Sequence, residues 1–196
     1  MSHISRKAAQ IERTKGWVVE ALIQAAESGD YPTLSVSDLC KKAGIGRQTF
    51  YRHYKSKEDV IADLGIRMYE EVLNDLNELD ASEVTVYRIN LASLRVVARN
   101  KRVMSLVRIP ELRTLMSEVM DRNMDFVFDR VPLLRAADPM QNQFNYWAWK
   151  GVMFEWVRQD FRQTPEEIAR LIATWTNQPG DSAASLKPAT AAPISR

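Results

Sequence analysis

Seven consecutive residues, Arg47-Gln48-Thr49-Phe50-Tyr51-Arg52-His53, concentrate two guanidinium forks, a carboxamide, a hydroxyl, a phenol and an imidazole. On a helix Phe50 turns to one side and the polar members occupy the other. Planar donors and short hydroxyls so displayed suit base edges in a major groove and the oxygens of phosphates. A second concentration lies between Met104 and Trp156, where methionines and aromatic rings recur at helical spacing. Such rings and thioethers pack a core, and flexible Met with flat aromatics also lines adaptable apolar pockets. Catalysis is poorly supplied. His3 and His53 are the only histidines and Cys40 the only cysteine, and neither a Gly-rich phosphate loop nor a His-Glu-x-x-His pattern occurs. The chain is therefore read as a non-enzyme with no metal site and no cofactor.

The elements that must hold the seven-residue segment are helical. Only Gly65 and Gly151 fall between residues 58 and 179, so long stretches lack the punctuation of strands and hairpins. A first helix is expected from Arg6 to Ser28, with Ile11, Val18, Leu22 and Ala25 at helical spacing and Gly29 as its stop. Ser35-Val36-Ser37-Asp38 has the form of a capping box and opens a short second helix that Gly44 ends. A third helix covers Arg47 to Tyr54, and Ser56-Lys57-Glu58-Asp59 starts a long fourth one reaching Glu78. Two short helices joined by Ala43-Gly44-Ile45-Gly46 describe a helix-turn-helix, Gly44 permitting the turn and Ile45 packing the pair. Further helices are expected at 83–99, 101–109, 111–130, 140–162 and from Pro165, with Thr164-Pro165-Glu166-Glu167 as the clearest start signal.

Charge follows the same division. Residues 1–57 carry ten Lys/Arg against five Asp/Glu, and the remainder seventeen against twenty, within an overall balance of +2 over 196 residues. The basic front suits a polyanion, or is a solvated face without a partner. With 45% hydrophobic and 27% charged residues the composition is that of a globular protein. The single cysteine fits a reducing compartment. With no apolar run long enough for a bilayer and no secretory leader at the start, a cytoplasmic location without membrane contact is expected.

The stretch from Leu34 to Asp59, LSVSDLCKKAGIGRQTFYRHYKSKED, resembles the DNA-binding motif of the TetR family of bacterial transcriptional repressors. It has the Ser start, the Ala-Gly-hydrophobic turn, the Thr-hydrophobic-Tyr core of the recognition helix and the Ser-Lys-Glu opening of the fourth helix, with Cys40 where Ala is usual. The resemblance implies an all-α protein with a helix-turn-helix DNA-binding domain over residues 1–56 and a helical regulatory and dimerisation domain over 57–176. Composition adds a disordered tail over 177–196, where Pro, Ser, Ala and Thr leave almost no large apolar residue. The resemblance puts Arg47, Gln48, Thr49, Tyr51 and His53 on the groove-facing surface. Ser35, Val36, Ser37, Tyr54 and Lys57 join Tyr51 at the DNA backbone, Tyr54 being equally readable as a core aromatic. The partners it implies are a double-stranded operator, a second copy of the chain and a small apolar or aromatic ligand.

For that ligand the expected contacts are Met116, Met120, Phe144 and Trp147. The helix from Met140 to Arg162 is apolar nearly all round and needs burial on two sides. A twin helix on the second side would place Ala148, Gly151 and Glu155 at a dimer interface, with Leu171, Ile172 and Trp175 from the last helix. The function so implied is a repressor that binds a palindromic operator as a homodimer and is released by a small molecule. The alternative is a helical protein-interaction adaptor without ligand response.

Overall fold

The computed structural model describes residues 3–80, 85–134 and 138–176, and among these the chain is all-α. The expected tail at 177–196 lies outside the described residues. Ten helices follow in order: α1 His3–Glu27, α2 Val36–Ala43, α3 Arg47–Tyr51, α4 Lys57–Asn77, α5 Val86–Arg99, α6 Lys101–Met104, α7 Pro110–Arg122, α8 Met124–Arg130, α9 Pro139–Arg158 and α10 Pro165–Thr176. Three single turns of tighter helix, at Tyr31–Thr33, Ser105–Arg108 and Pro132–Leu134, join them.

Start signals did most of the local work. Ser35, Ser56 and Thr85 each cap a helix by accepting from the backbone N–H three residues on, and Asp138 caps α9 two residues on. Thr164 and Glu167 bond reciprocally, each side chain taking the other's backbone N–H. These are the N-terminal donors a helix leaves without internal partners.

Ends were less legible. The segment expected to run through 111–130 breaks at Asn123, whose side-chain amide donates to the Val119 carbonyl at 2.7 Å and so shares that acceptor with the Asn123 backbone N–H, left at 3.3 Å. The helix expected to reach Arg162 stops at Arg158. Asp160 and Phe161 follow in the left-handed region, with φ of 58° and 57°. Packing holds that turn: the Trp156 and Phe161 rings meet edge to face at 5.0 Å, and the Trp156 indole N–H donates to the Gln163 carbonyl. Similarly α3 ends at Tyr51, three residues early, as the chain tightens around the Phe50 carbonyl, which accepts from the N–H groups of both His53 and Tyr54.

One apolar core joins the front and the back. Leu22, Leu39, Phe50 and Val60 belong to the same buried cluster as Leu94, Leu112, Met153, Val157 and Ile172. A smaller cluster of Leu76, Ile89, Ala92 and Val131 lies at the far ends of α4 and α5. Helix α5 packs on α4 and α10, and α4 packs in turn on α7. At Gly65 that last contact is close. A Cβ there would lie 2.9 Å from Cγ1 of Val119, so the two helices meet where a side chain is missing.

Candidate nucleic-acid interface and internal cavity

The helix-turn-helix is built from residues that leave few conformational options. Ser35 Oγ accepts from the Asp38 N–H at 3.1 Å to start α2. Gly44 ends it at φ +66°, with the Gly44 N–H on the Lys41 carbonyl and the Ile45 N–H on the Cys40 carbonyl, the paired bonds of a Schellman stop. Gly46 is extended and opens α3, whose Phe50 is wholly buried with Leu39 and Cys40. Five residues of helix are marginal alone, and this anchoring fixes α3 against α1, α2 and α4.

Fixing Phe50 inward presents the opposite face outward. Arg47, Gln48, Tyr51 and Arg52 are exposed, and Thr49 and His53 are half-buried. The Arg47 guanidinium lies 6.0 Å from the Tyr51 ring centre, and Arg52 donates to the Thr49 hydroxyl at 3.3 Å. Ser35 and Ser37 are exposed beside this face, while Val36 is half-buried against the core. Lys57 is half-buried at the first turn of α4. Its ammonium donates to the Tyr31 carbonyl at 2.8 Å and sits 4.4 Å from the Tyr31 ring centre, leaving N–H groups for an anion. Burial, with the charges of Glu58 and Glu111, pushes the Tyr31 phenol up to about 12.

Of its two expected roles, Tyr54 takes the core one. It is 4% exposed, and its hydroxyl donates to Asp63 at 2.9 Å. Asp63 also accepts from Lys15 at 2.9 Å and from Arg67 at 3.0 Å, and Arg67 pairs with Glu12. Partial burial works to raise the Asp63 carboxyl, but hydrogen bonds from Lys15 and Tyr54 and the Arg67 charge hold it below its ordinary value. The same burial, with Asp63 beside it, raises the Tyr54 phenol. This clamp ties α1 and the segment that follows α3 to the middle of α4. Sequence reasoning missed it: Asp63 and Arg67 have the i,i+4 spacing of an ion pair, but nothing local connects Lys15 to a carboxylate 48 residues away.

Beyond the clamp, α4 forms one wall of a cavity of about 340 Å³, the others coming mainly from α5, α7, α8 and α9, with Ile172 of α10. That volume falls in the roughly 300–1,000 Å³ range of small-molecule sites. Of the four residues expected to touch a ligand, Met116 and Met120 line it. Phe144 and Trp147 do not: they are 65% and 55% exposed, on the outer stripe of α9 with Met140 and Gly151. Residues Asn145, Tyr146, Trp149 and Met153 of the same helix face the cavity instead. Ile172, expected at a dimer interface, is 4% exposed and lines the cavity. Leu171 and Trp175 are exposed at 41% and 55%. Ala148 is half-buried. Glu155 is exposed and bonded to Arg158 and Gln159, which hold its carboxyl down to about 2.

Behind the cavity wall a buried charge is fully served. Lys150, 3% exposed, donates to Asp121 and to Ser117, and its ammonium lies 3.6 Å from the Trp147 ring centre. The Tyr146 hydroxyl donates to the same Asp121 at 2.6 Å. Among the described residues no group of His, Cys, Asp and Glu could hold a metal ion, and no helix is long and apolar enough to cross a membrane.

A capped α2, a glycine turn and a short α3 with a polar outer face, set on a helical body that encloses a cavity, define a helix-turn-helix regulator fold. Residues 18–64 match the family described as Bacterial regulatory proteins, tetR family. The match runs from the second half of α1 to the first turns of α4 and so identifies the helix-turn-helix as a domain of the TetR family. It is 36% identical over 75 residues to the HTH-type transcriptional regulator YxbF of Bacillus subtilis, covering 36% of this chain and 20% of that protein. It is 31% identical over 62 residues to DhaS of Lactococcus lactis, the HTH-type dhaKLM operon transcriptional activator, covering 32% and 33% respectively. The chain thus spans a third or less of the length of these two relatives. The likeness in fold extends further. The structure of FadR from Bacillus subtilis in complex with stearoyl-CoA superposes with a TM-score of 0.57 over 82% of this chain and 96% of that one, at 16% identity.

Proposed function

We propose that this protein is a transcriptional repressor that binds a palindromic DNA operator as a homodimer and is released from it by a small apolar ligand. One observation carries the reading: Phe50 is sealed in the core while Arg47, Gln48, Tyr51 and Arg52, on and beside the same five-residue helix, face solvent. A helix anchored by one ring and otherwise covered with forked donors and hydroxyls is chemistry for a major groove. Gln48 and Thr49 are assigned to base edges, and Tyr51, Lys57, Ser35 and Ser37 to the phosphate backbone.

Dimerisation is supported by the exposed Met140, Phe144, Trp147 and Gly151 on α9 and Leu171 and Trp175 on α10. This is more large apolar surface than a lone subunit has reason to show. A twofold pair would offer two α3 helices to major grooves about 34–36 Å apart, or a multiple of that distance.

Release follows from α4. Ile61, Gly65, Met68 and Tyr69 of this helix line the cavity, and Asp63, between them in sequence, holds the reading head through Lys15 and Tyr54. A ligand that fits one placement of α4 better than another shifts the separation of the two heads by that difference in affinity. DhaS is an activator, so the direction of control is tested separately, by whether the protein lowers or raises a reporter driven from its operator.

The decisive test is selection of bound sequences from a random DNA pool, followed by mobility shift on the winner. A palindromic site is expected. Replacing Gln48 and Tyr51 together by Ala should weaken binding by about 2–4 kcal/mol while the dimer persists. A protein that selects no sequence, or a double variant that binds as the parent does, overturns the reading. The adaptor alternative would keep its partner through both substitutions.

A further inference from the structure

We infer that the cavity takes an uncharged, largely apolar ligand bearing one hydrogen-bonding oxygen function, a hydroxyl or an ester-type carbonyl, and that Asn90 is the residue that reads it. The inference rests on the proposed role of this cavity and names the chemistry of its ligand.

Of the described residues that line the cavity, none carries a formal charge. The polar ones are Tyr69, Asn90, Ser93, Asn145 and Tyr146. Three are already engaged: Ser93 donates to the Ile89 carbonyl, Tyr146 donates to Asp121, and the Asn145 carbonyl accepts from Gln141. Asn90 differs. It is 6% exposed, on the central helix α5, yet its carboxamide has no hydrogen-bond partner among the described residues. Among the described residues no side-chain nitrogen or oxygen that is sealed from solvent lacks a partner, so the amide must keep contact with open space, and the space Asn90 lines is the cavity. A carboxamide held in apolar surroundings with neither donor nor acceptor used is costly, and such groups are normally paired. An apolar residue would serve packing better there. What satisfies an amide without charge compensation is a neutral oxygen: a carbonyl to accept from its N–H, or a hydroxyl to use either end.

Tyr69 adds a second neutral donor. Its phenol, in the α4 wall, makes no hydrogen bond among the described residues, and burial, with the charge of Asp121 beyond it, raises its pKa so that it stays protonated. Among the described residues that line the cavity, an anionic head group finds no cation. The nearby ammonium of Lys150 is committed to Asp121 and Ser117 behind the Tyr146 ring. Binding a carboxylate in the cavity would therefore require desolvating an unpaired charge.

The test is direct calorimetric titration of the full chain, without DNA, using four probes of one chain length at pH 8: decan-1-ol, methyl decanoate, sodium decanoate and decane. The alcohol and ester should bind about ten-fold more tightly than decane, and decanoate at least about a hundred-fold more weakly than the ester. Asn90→Leu keeps the volume and removes the amide. It should bring the ester and alcohol down to the affinity of decane while leaving decane unchanged or tighter. Tyr69→Phe, milder for folding, should reduce the same preference about three-fold. Tightest binding of decanoate, or an ester-to-decane ratio unaltered in both variants, overturns the inference. Because binding is read without DNA, an ester that binds as expected but leaves an operator complex intact would instead sink the coupling to DNA release.

Discussion

The head and the body of this protein use aromatic rings in opposite ways. In the head, around α2 and α3, each ring has a single place: Phe50 and Tyr54 are buried, Tyr31 lies under Lys57, and Tyr51 is left outside at 49% exposure. In the body the same side chains divide between three destinations. Trp156 packs in the core, Trp149 and Tyr146 line a cavity, and Phe144, Trp147 and Trp175 remain on the surface. A reading head has to keep one geometry. The body leaves apolar surface uncovered, as the proposed ligand and second subunit would require.

Four experiments would break or sharpen that contrast. The largest effect is expected at Phe50. Phe50→Ala empties a fully buried site and should cost about 3–5 kcal/mol of stability in a urea melt, abolishing DNA binding with it. If the head instead tolerated the change, it would not be the rigid partner. In the body, Phe144→Glu should cost little within the subunit, whose Phe144 is 65% exposed, but about 2 kcal/mol or more in self-association. Sedimentation should then show monomers, and a persistent dimer would place the interface elsewhere.

Asp63→Asn probes the clamp between the two regions. The folded carboxyl titrates below its ordinary 3.8, so its contribution is complete above that pH and is lost as pH falls through the lowered folded value. The variant should lose on the order of 1 kcal/mol at pH 7, a figure discounted for the solvent around this half-open group, and should show a shallower decline below pH 4 in melts across that range. Smallest is Lys57→Ala. Binding should weaken alike on all sequences, and the slope of log affinity against log salt should flatten by about one. An unchanged slope would remove Lys57 from the phosphate contacts.

How much was visible in the chain itself follows the same line. The helix-turn-helix is specified by short-range signals: Ser35 with Asp38, Gly44 at a positive φ, and Phe50 between polar neighbours are all read within a few residues of one another. The start of α10 at Thr164-Pro165-Glu166-Glu167 was equally plain. Helix ends in the body were not, because Asn123 and the Asp160-Phe161 turn owe their places to a side-chain amide and to Trp156. The cavity wall was legible only in part. Met116 and Met120 were identified, but on α9, which is apolar nearly all round, periodicity could not say which stripe faces inward, and so Phe144 and Trp147 were expected where Asn145, Tyr146 and Trp149 stand. Asn90 gave no signal at all, since an asparagine on an amphipathic helix reads as solvent-facing until its neighbours are known.

Neither half owns its interior. Because the buried cluster passes without interruption from Leu39 and Phe50 to Met153 and Ile172, heating should produce a single endotherm, with no plateau in which one half has melted and the other survives. Evolution working on such a molecule cannot graft a new sensor onto an old reader by simple exchange at residue 57; the recombinant would have to bring along the complementary side of a shared interior.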